Sequence, residues 1–131
     1  MQRLTLATSR YHAPERVLAC GLAPVGITVS PPRFRLGFEL AGSVGALAPH
    51  GILGLEDPEE FARLYLARLD GYGVERIAAA LGALAGLSDA QGCVLLCYED
   101  LETPGEWCHR RLFAQWWLGR TGIEVPELAS R

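Results

Sequence analysis

The chain has 131 residues, 50% of them hydrophobic and 21% charged, with a formal net charge of −3; these values fit one globular domain with a core of its own. The acidic balance excludes a general nucleic-acid coat, because a phosphate backbone calls for a basic excess. All twelve basic residues are arginine, which reads mainly as a codon bias toward Arg, Ala and Gly, although arginine is also the better of the two cations for clamping an oxyanion.

Residues 1–7 lack the apolar core of a secretory signal. No stretch approaches the ~20 apolar residues needed to cross a bilayer. The four cysteines, Cys20, Cys93, Cys97 and Cys108, show no disulfide-scaffold spacing, which fits a reducing compartment. The expectation is one cytoplasmic domain over residues 1–131, without a membrane partner.

Leu4 to Ala7 reads as a first strand, followed by a polar turn, Thr8-Ser9-Arg10-Tyr11-His12. Pro14 opens a brief helix through Cys20, stopped by Gly21. Val25-Gly26-Ile27-Thr28-Val29 is β-branched and predicts a second strand. Residues 30–54 are rich in Pro and Gly and lose all periodicity, so they read as a long loop, often a binding loop in compact domains.

Asp57-Pro58-Glu59-Glu60 is a helix start with an Asp cap, and the helix runs to Gly71 and Gly73. Val74, Ile77, Ala78, Leu81 and Leu84 repeat at helical period up to Gly86. Cys93-Val94-Leu95-Leu96-Cys97-Tyr98 is a continuous apolar run, suited to a central strand covered on both faces. A helix begins at Thr103 or Gly105, continues to about Leu118, and ends at Gly119 or Gly122. Ile123-Glu124-Val125 closes the chain as a last strand. Strands alternating with helices predict an α/β fold: a single compact layered domain with a small, mostly parallel sheet flanked by helices.

The chemistry concentrates between Cys97 and Arg110. In open α/β sheets, ligands sit beyond the carboxyl ends of the strands, where Cys97, Tyr98 and Glu99 stand. Alternation puts Cys93, Leu95 and Cys97 on one face, with Glu99 next in line. Cys93 and Cys97 lie roughly 13 Å apart along a strand, beyond the about 4.4–6.8 Å of a disulfide, so Cys93 reads as core.

At 100° per residue, Cys108, His109, Leu112, Phe113, Trp116 and Trp117 share the apolar arc of the last helix. Arg110 falls on its flank, and Arg111, Gln115 and Leu118 point away. With Gly105 as the cap, Cys108 lies in the first turn, where the helix terminus lowers a thiol pKa and attracts an anion. With Thr103 as the cap, Cys108 lies a full turn inside. Both remain open.

Ordinary roles compete. An inward cysteine is a common small core residue, an inward histidine can be a hydrogen-bonded core group, and Glu99 suits a turn or an ion pair. Trp107, Trp116 and Trp117 read as core or interface, and His12 and His50 as lone loop histidines. Zinc needs three or four converging ligands. Cys97, Cys108 and His109 supply three at most, so the sequence assigns no metal and no cofactor.

Leu95-Leu96-Cys97-Tyr98-Glu99 followed by Gly105-Glu106-Trp107-Cys108-His109-Arg110 resembles the signature of the domain-of-unknown-function 488 family. In that signature an apolar strand ends in Cys-x-Glu, and Cys-His-Arg opens the last long helix. The likeness covers about Cys93 to Val125 and is looser upstream, at Thr8-Ser9-Arg10-Tyr11, Ser30 and Leu47-Ala48-Pro49. The family often has Ser-Arg-Gly after the second strand, where this chain has Ser30-Pro31-Pro32-Arg33. The resemblance implies an α/β fold and a pocket built from Cys97, Glu99, Cys108, His109 and Arg110, with Ser30 in a ligand-contact loop. It implies no activity.

The function expected first is binding or processing of a nucleotide or similar anionic metabolite. Cys108 would be the nucleophile, Cys97 would stand in the same pocket, and His109 or Glu99 would be the base. Arg110 and Arg10 would clamp the anion, and Tyr11 or Tyr98 would stack on a ring. The alternative is a non-catalytic ligand-binding or protein-interaction module that uses residues 30–54. A thiol redox protein with a Cys97–Cys108 disulfide ranks third, because no Cys-x-x-Cys motif is present. Exposure of Trp117 or Leu118 would mark a homo-oligomer face.

Overall fold

Every residue of Gly92–Cys97 is buried, and the computed structural model, which describes residues 4–99, 101 and 108–128, places this run at the heart of a parallel sheet. In chain order the strands are β1 (Thr5–Arg10), β2 (Ala23–Gly26), β3 (Gly42–Ser43) and β4 (Gly92–Cys97). Their order in the sheet is β1-β4-β2-β3, and each pairing is parallel. Among the described residues, four helices accompany them: α1 (Pro14–Cys20), α2 (Pro58–Tyr72), α3 (Val74–Leu87) and α4 (His109–Thr121). The α/β class and the small sheet are those the sequence predicts.

Side-chain alternation along β4 divides the core. Val94 and Leu96 pack with Ala7, Tyr11 and Val17 of α1. Cys93, Leu95 and Cys97 join Tyr65 and Leu69 of α2, Ile77 and Leu81 of α3, and Phe113 and Trp117 of α4. A strand covered on both faces must be apolar at every position, which is why β4 reads as an unbroken run. Among the described residues, no helix is long and apolar enough to cross a membrane.

Several boundaries depart from the sequence reading. β1 continues to Arg10 because Thr8, Ser9 and Arg10 pair with Leu95, Leu96 and Cys97. β2 ends at Gly26, although Ile27 still donates its N–H to the Leu96 carbonyl at 3.2 Å. The span 30–54 holds β3 and a short 3-10 turn at Gly45–Leu47. It is also tied to α2, since the Tyr65 hydroxyl donates to the Leu47 carbonyl at 2.7 Å.

Asp57 caps α2 as expected, its carboxylate accepting the Glu59 N–H at 3.0 Å. Helices α2, α3 and α4 run through Gly71, Gly86 and Gly119. They end where the backbone turns, at Gly73 and, for α4, at Gly122 with φ +75°. Composition cannot distinguish a glycine inside a helix from one in the left-handed cap. Ile123-Glu124-Val125 forms no strand; Glu127 makes a single bridge to Thr8 on the outer edge of β1.

Candidate functional site

The carboxyl ends of the strands meet the start of α4. Cys97 is the last residue of β4, paired with Arg10 across the ladder. Cys108 is the N-cap of α4 and His109 its first residue. The two expected caps, Thr103 and Gly105, lie outside the described residues. Cys108, as the N-cap, precedes the helix instead of sitting inside it.

Cys97, Cys108 and His109 are 0%, 4% and 6% exposed. Their ligand atoms all lie within 4.8 Å of one another. His109 Nε2 donates to the Ile27 carbonyl at 2.6 Å, which fixes the neutral tautomer and leaves the Nδ1 lone pair available. Nδ1 stands 3.6 Å from Cys108 Sγ and 4.0 Å from Cys97 Sγ. Cys97 Sγ is also 3.5 Å from Nε2. The Tyr65 ring stands edge-on to the imidazole, with centroids 5.4 Å apart.

Burial, reinforced by the neighbouring Cys97 sulfur, pushes the Cys108 thiol well above its ordinary range. The direction is opposite to the depressed thiol expected for a helix-activated nucleophile, because desolvation penalises the thiolate more than the imidazole helps it. All four cysteines are free thiols. Cys93 is core, as its position suggested, and donates to the Leu81 carbonyl at 3.2 Å.

Arg110 is not on the flank of α4. It is 0% exposed, with Nε and Nη2 each 2.9 Å from the Glu127 carboxylate and Nη2 also 2.9 Å from the Glu99 carbonyl oxygen. The guanidinium is thus engaged inside the protein and does not line a surface site. Glu99 enters this contact through its backbone.

Tyr11 is buried as well, its hydroxyl 2.9 Å from Thr28 Oγ1, and burial raises its pKa to about 12. Tyr98 packs on Tyr11 with centroids 4.8 Å apart and donates to the Ser30 carbonyl at 2.9 Å. Ser30 is therefore joined to the strand end through its carbonyl oxygen.

Comparison with protein-family models, curated proteins and solved structures finds no match. The functional reading rests on the residues themselves.

A cavity of about 590 Å³ opens at the end of β1 and the start of α1. Arg10, His12, Glu15 and Arg16 line it, and His12 stacks on Phe34 with centroids 4.2 Å apart. Arg16 Nε is buried with no hydrogen-bond partner among the described residues. Of these, only Arg10 was singled out from the sequence. His12 lacks any motif, and Arg16 becomes visible as a site residue only when α1 folds back on the strand end. Phe34 carried no signal at all.

Proposed function

We propose that this chain binds a nucleotide or similar anionic metabolite in the cavity at the carboxyl edge of the sheet. The observation that carries the reading is the pair of arginines in the wall of that cavity, Arg10 and Arg16, with His12 and Glu15 also lining its volume of about 590 Å³. Guanidinium groups recognise phosphate and carboxylate oxygens through charge-assisted, often bidentate hydrogen bonds. Arg16 Nε lacks a partner among the described residues, and a bound oxyanion would satisfy it. The stacked His12–Phe34 pair adds a flat apolar surface beside the cations, suited to a base or another ring. The carboxyl edge of a parallel sheet is also the usual place for such a ligand. The resemblance of the Cys97-Tyr98-Glu99 and Cys108-His109-Arg110 segments to the domain-of-unknown-function 488 family points to the same carboxyl edge of the sheet, at the neighbouring strand β4, and names no reaction.

The test is a thermal-shift and calorimetric screen of the full chain against nucleotides, sugar phosphates and inorganic phosphate. A ligand that binds only the native state at about 100 times its Kd adds about 2.7 kcal/mol of stability. Arg16→Ala, which removes one charged donor, is expected to weaken binding by about 10-fold or more. A panel in which no anion raises the melting temperature would overturn the reading, as would a ligand held equally well by Arg16→Ala.

A further inference from the structure

The buried thiols and imidazole form a second feature, separate from the arginines of the cavity wall. We propose that Cys97, Cys108 and His109 hold a zinc ion, with three protein ligands and a fourth position for a non-protein donor. Zinc bonds of about 2.3 Å to sulfur and about 2.0–2.1 Å to nitrogen, arranged tetrahedrally, put neighbouring ligand atoms roughly 3.5–3.8 Å apart. Cys108 Sγ and His109 Nδ1 stand 3.6 Å apart, and Cys97 Sγ is 4.0 Å from Nδ1. All three ligand atoms fall within a 4.8 Å span, so movements of up to about 1 Å would let one ion bridge them.

The surroundings fit a ligating histidine. Metal-bound imidazoles almost always donate their other N–H to a carbonyl or carboxylate, which sets the tautomer and aims the lone pair. Here the Nε2 proton goes to the Ile27 carbonyl at 2.6 Å. Nε2 lies nearer to Cys97 Sγ than Nδ1 does, but its lone pair is spent on that proton, so Nδ1 is the nitrogen for a cation.

The other two cysteines set a contrast. Cys93 and Cys20 donate to the backbone carbonyls of Leu81 and Val17, as structural thiols do. Among the described contacts, Cys97 and Cys108 meet the imidazole. Two thiolates neutralise one divalent ion, which removes the cost of burying either charge alone. Soft sulfur donors select zinc over magnesium or calcium. Among the described residues no other Cys, His, Asp or Glu joins the three. The ligands also sit on fixed elements, the end of β4 and the start of α4.

This site stands apart from anion binding, and either can fail without the other. The test uses the full chain, kept reduced with a phosphine, stripped with a chelator and reloaded with Zn²⁺ or Co²⁺ alone. The expected result is one zinc per chain by elemental analysis after desalting. With cobalt, thiolate-to-metal charge-transfer absorption and the visible bands of a tetrahedral ion are expected. Cys97→Ser and Cys108→Ser should each bind more than about 100-fold more weakly, since loss of a residue merely behind the ligands costs about 10–100-fold. Cys93→Ser should bind as wild type does. If a ligand variant does not fold by circular dichroism, the wild-type cobalt spectrum decides. Zinc far below one per chain, a cobalt spectrum without the thiolate band, or a band lost in Cys93→Ser would each overturn the proposal. So would a Cys97–Cys108 disulfide that survives the reductant, read by mass spectrometry.

Discussion

Arg110 is the largest side chain with no exposure among the described residues, and its charge is balanced by Glu127, whose side chain is 28% exposed. Removing one member of such a pair leaves an uncompensated buried ion and costs about 3–5 kcal/mol. Glu127→Ala should therefore lower the urea midpoint by an amount near the bottom of that range, because water reaches the carboxylate side. A change within ±0.5 kcal/mol would mean that the bidentate contact contributes little. Asp70 supplies a pH-dependent counterpart. Its carboxylate accepts from Trp116 Nε1 at 2.8 Å and from Arg120 at 2.5 Å, and these donors hold its pKa below the ordinary 3.8. A depressed carboxylate stabilises the fold above its unfolded pKa and loses that effect as pH falls through the folded one. Asp70→Asn should melt below wild type at neutral pH, and the gap should close below about pH 4. A gap that persists unchanged at pH 2 would locate the effect in hydrogen bonding alone.

At the scale of elements, β4 and its neighbours leave no room at Gly92. A Cβ built there would stand 1.6 Å from the Thr5 carbonyl oxygen, a backbone atom that cannot yield without breaking the β1–β4 register. Gly92→Ala is expected to cost about 3 kcal/mol or more, or to abolish soluble folded protein. Wild-type stability by chemical denaturation would show that the strands can separate at no cost. The end of α4 is a milder case. Gly122 adopts φ +75° while its N–H reaches the Leu118 carbonyl at 2.8 Å, and an alanine there should cost about 1–2 kcal/mol.

These elements also mark how far the sequence was legible. The Asp57-Pro58 start of α2 and the apolar run of β4 announce themselves through local chemistry, since a cap and a doubly covered strand each demand particular residue types. β3 does not, because a two-residue strand has no period to detect. The β1 extension is hidden for another reason: Thr8 and Ser9 are polar yet buried, and Thr8 gains its partner, Glu127, from 119 residues away. In the candidate site, Cys97, Cys108 and His109 were identifiable as inward-facing residues. Their mutual distances depend on how the chain turns back from β4 into α4, the carbonyl on Nε2 comes from 82 residues away, and Glu127 reaches Arg110 from beyond the end of α4.

Across the whole molecule, the sheet order β1-β4-β2-β3 leaves the outer edge of β1 to be covered by the chain after α4. Thr8 N–H donates to the Pro126 carbonyl at 2.9 Å, and Leu128 N–H to the Thr8 carbonyl at 2.8 Å. An unpaired strand edge is a template for other chains. Ending the chain after Gly122 should therefore lower the melting temperature and promote self-association, measured by size-exclusion chromatography across concentrations. A monomer of unchanged stability would show that this covering is dispensable. Trp117 is buried in the core, and Leu118 is exposed; a single exposed leucine is ordinary on a protein surface.

The sequence by itself determined the α/β class, the helices and the central strand, because hydrophobic period, caps and apolar runs act over a few residues. It also marked the strand end and helix start where thiols, imidazole and arginine gather. Only the tertiary structure decided which of those groups face one another. Parallel strands are joined by long crossovers, so residues adjacent across the sheet are distant in the chain. The same crossovers bring Ile27 to His109, while Glu127 reaches Arg110 through the chain that folds back after α4. Desolvation, which depends on everything packed around a group, then raises the Cys108 pKa where a helix terminus alone would lower it.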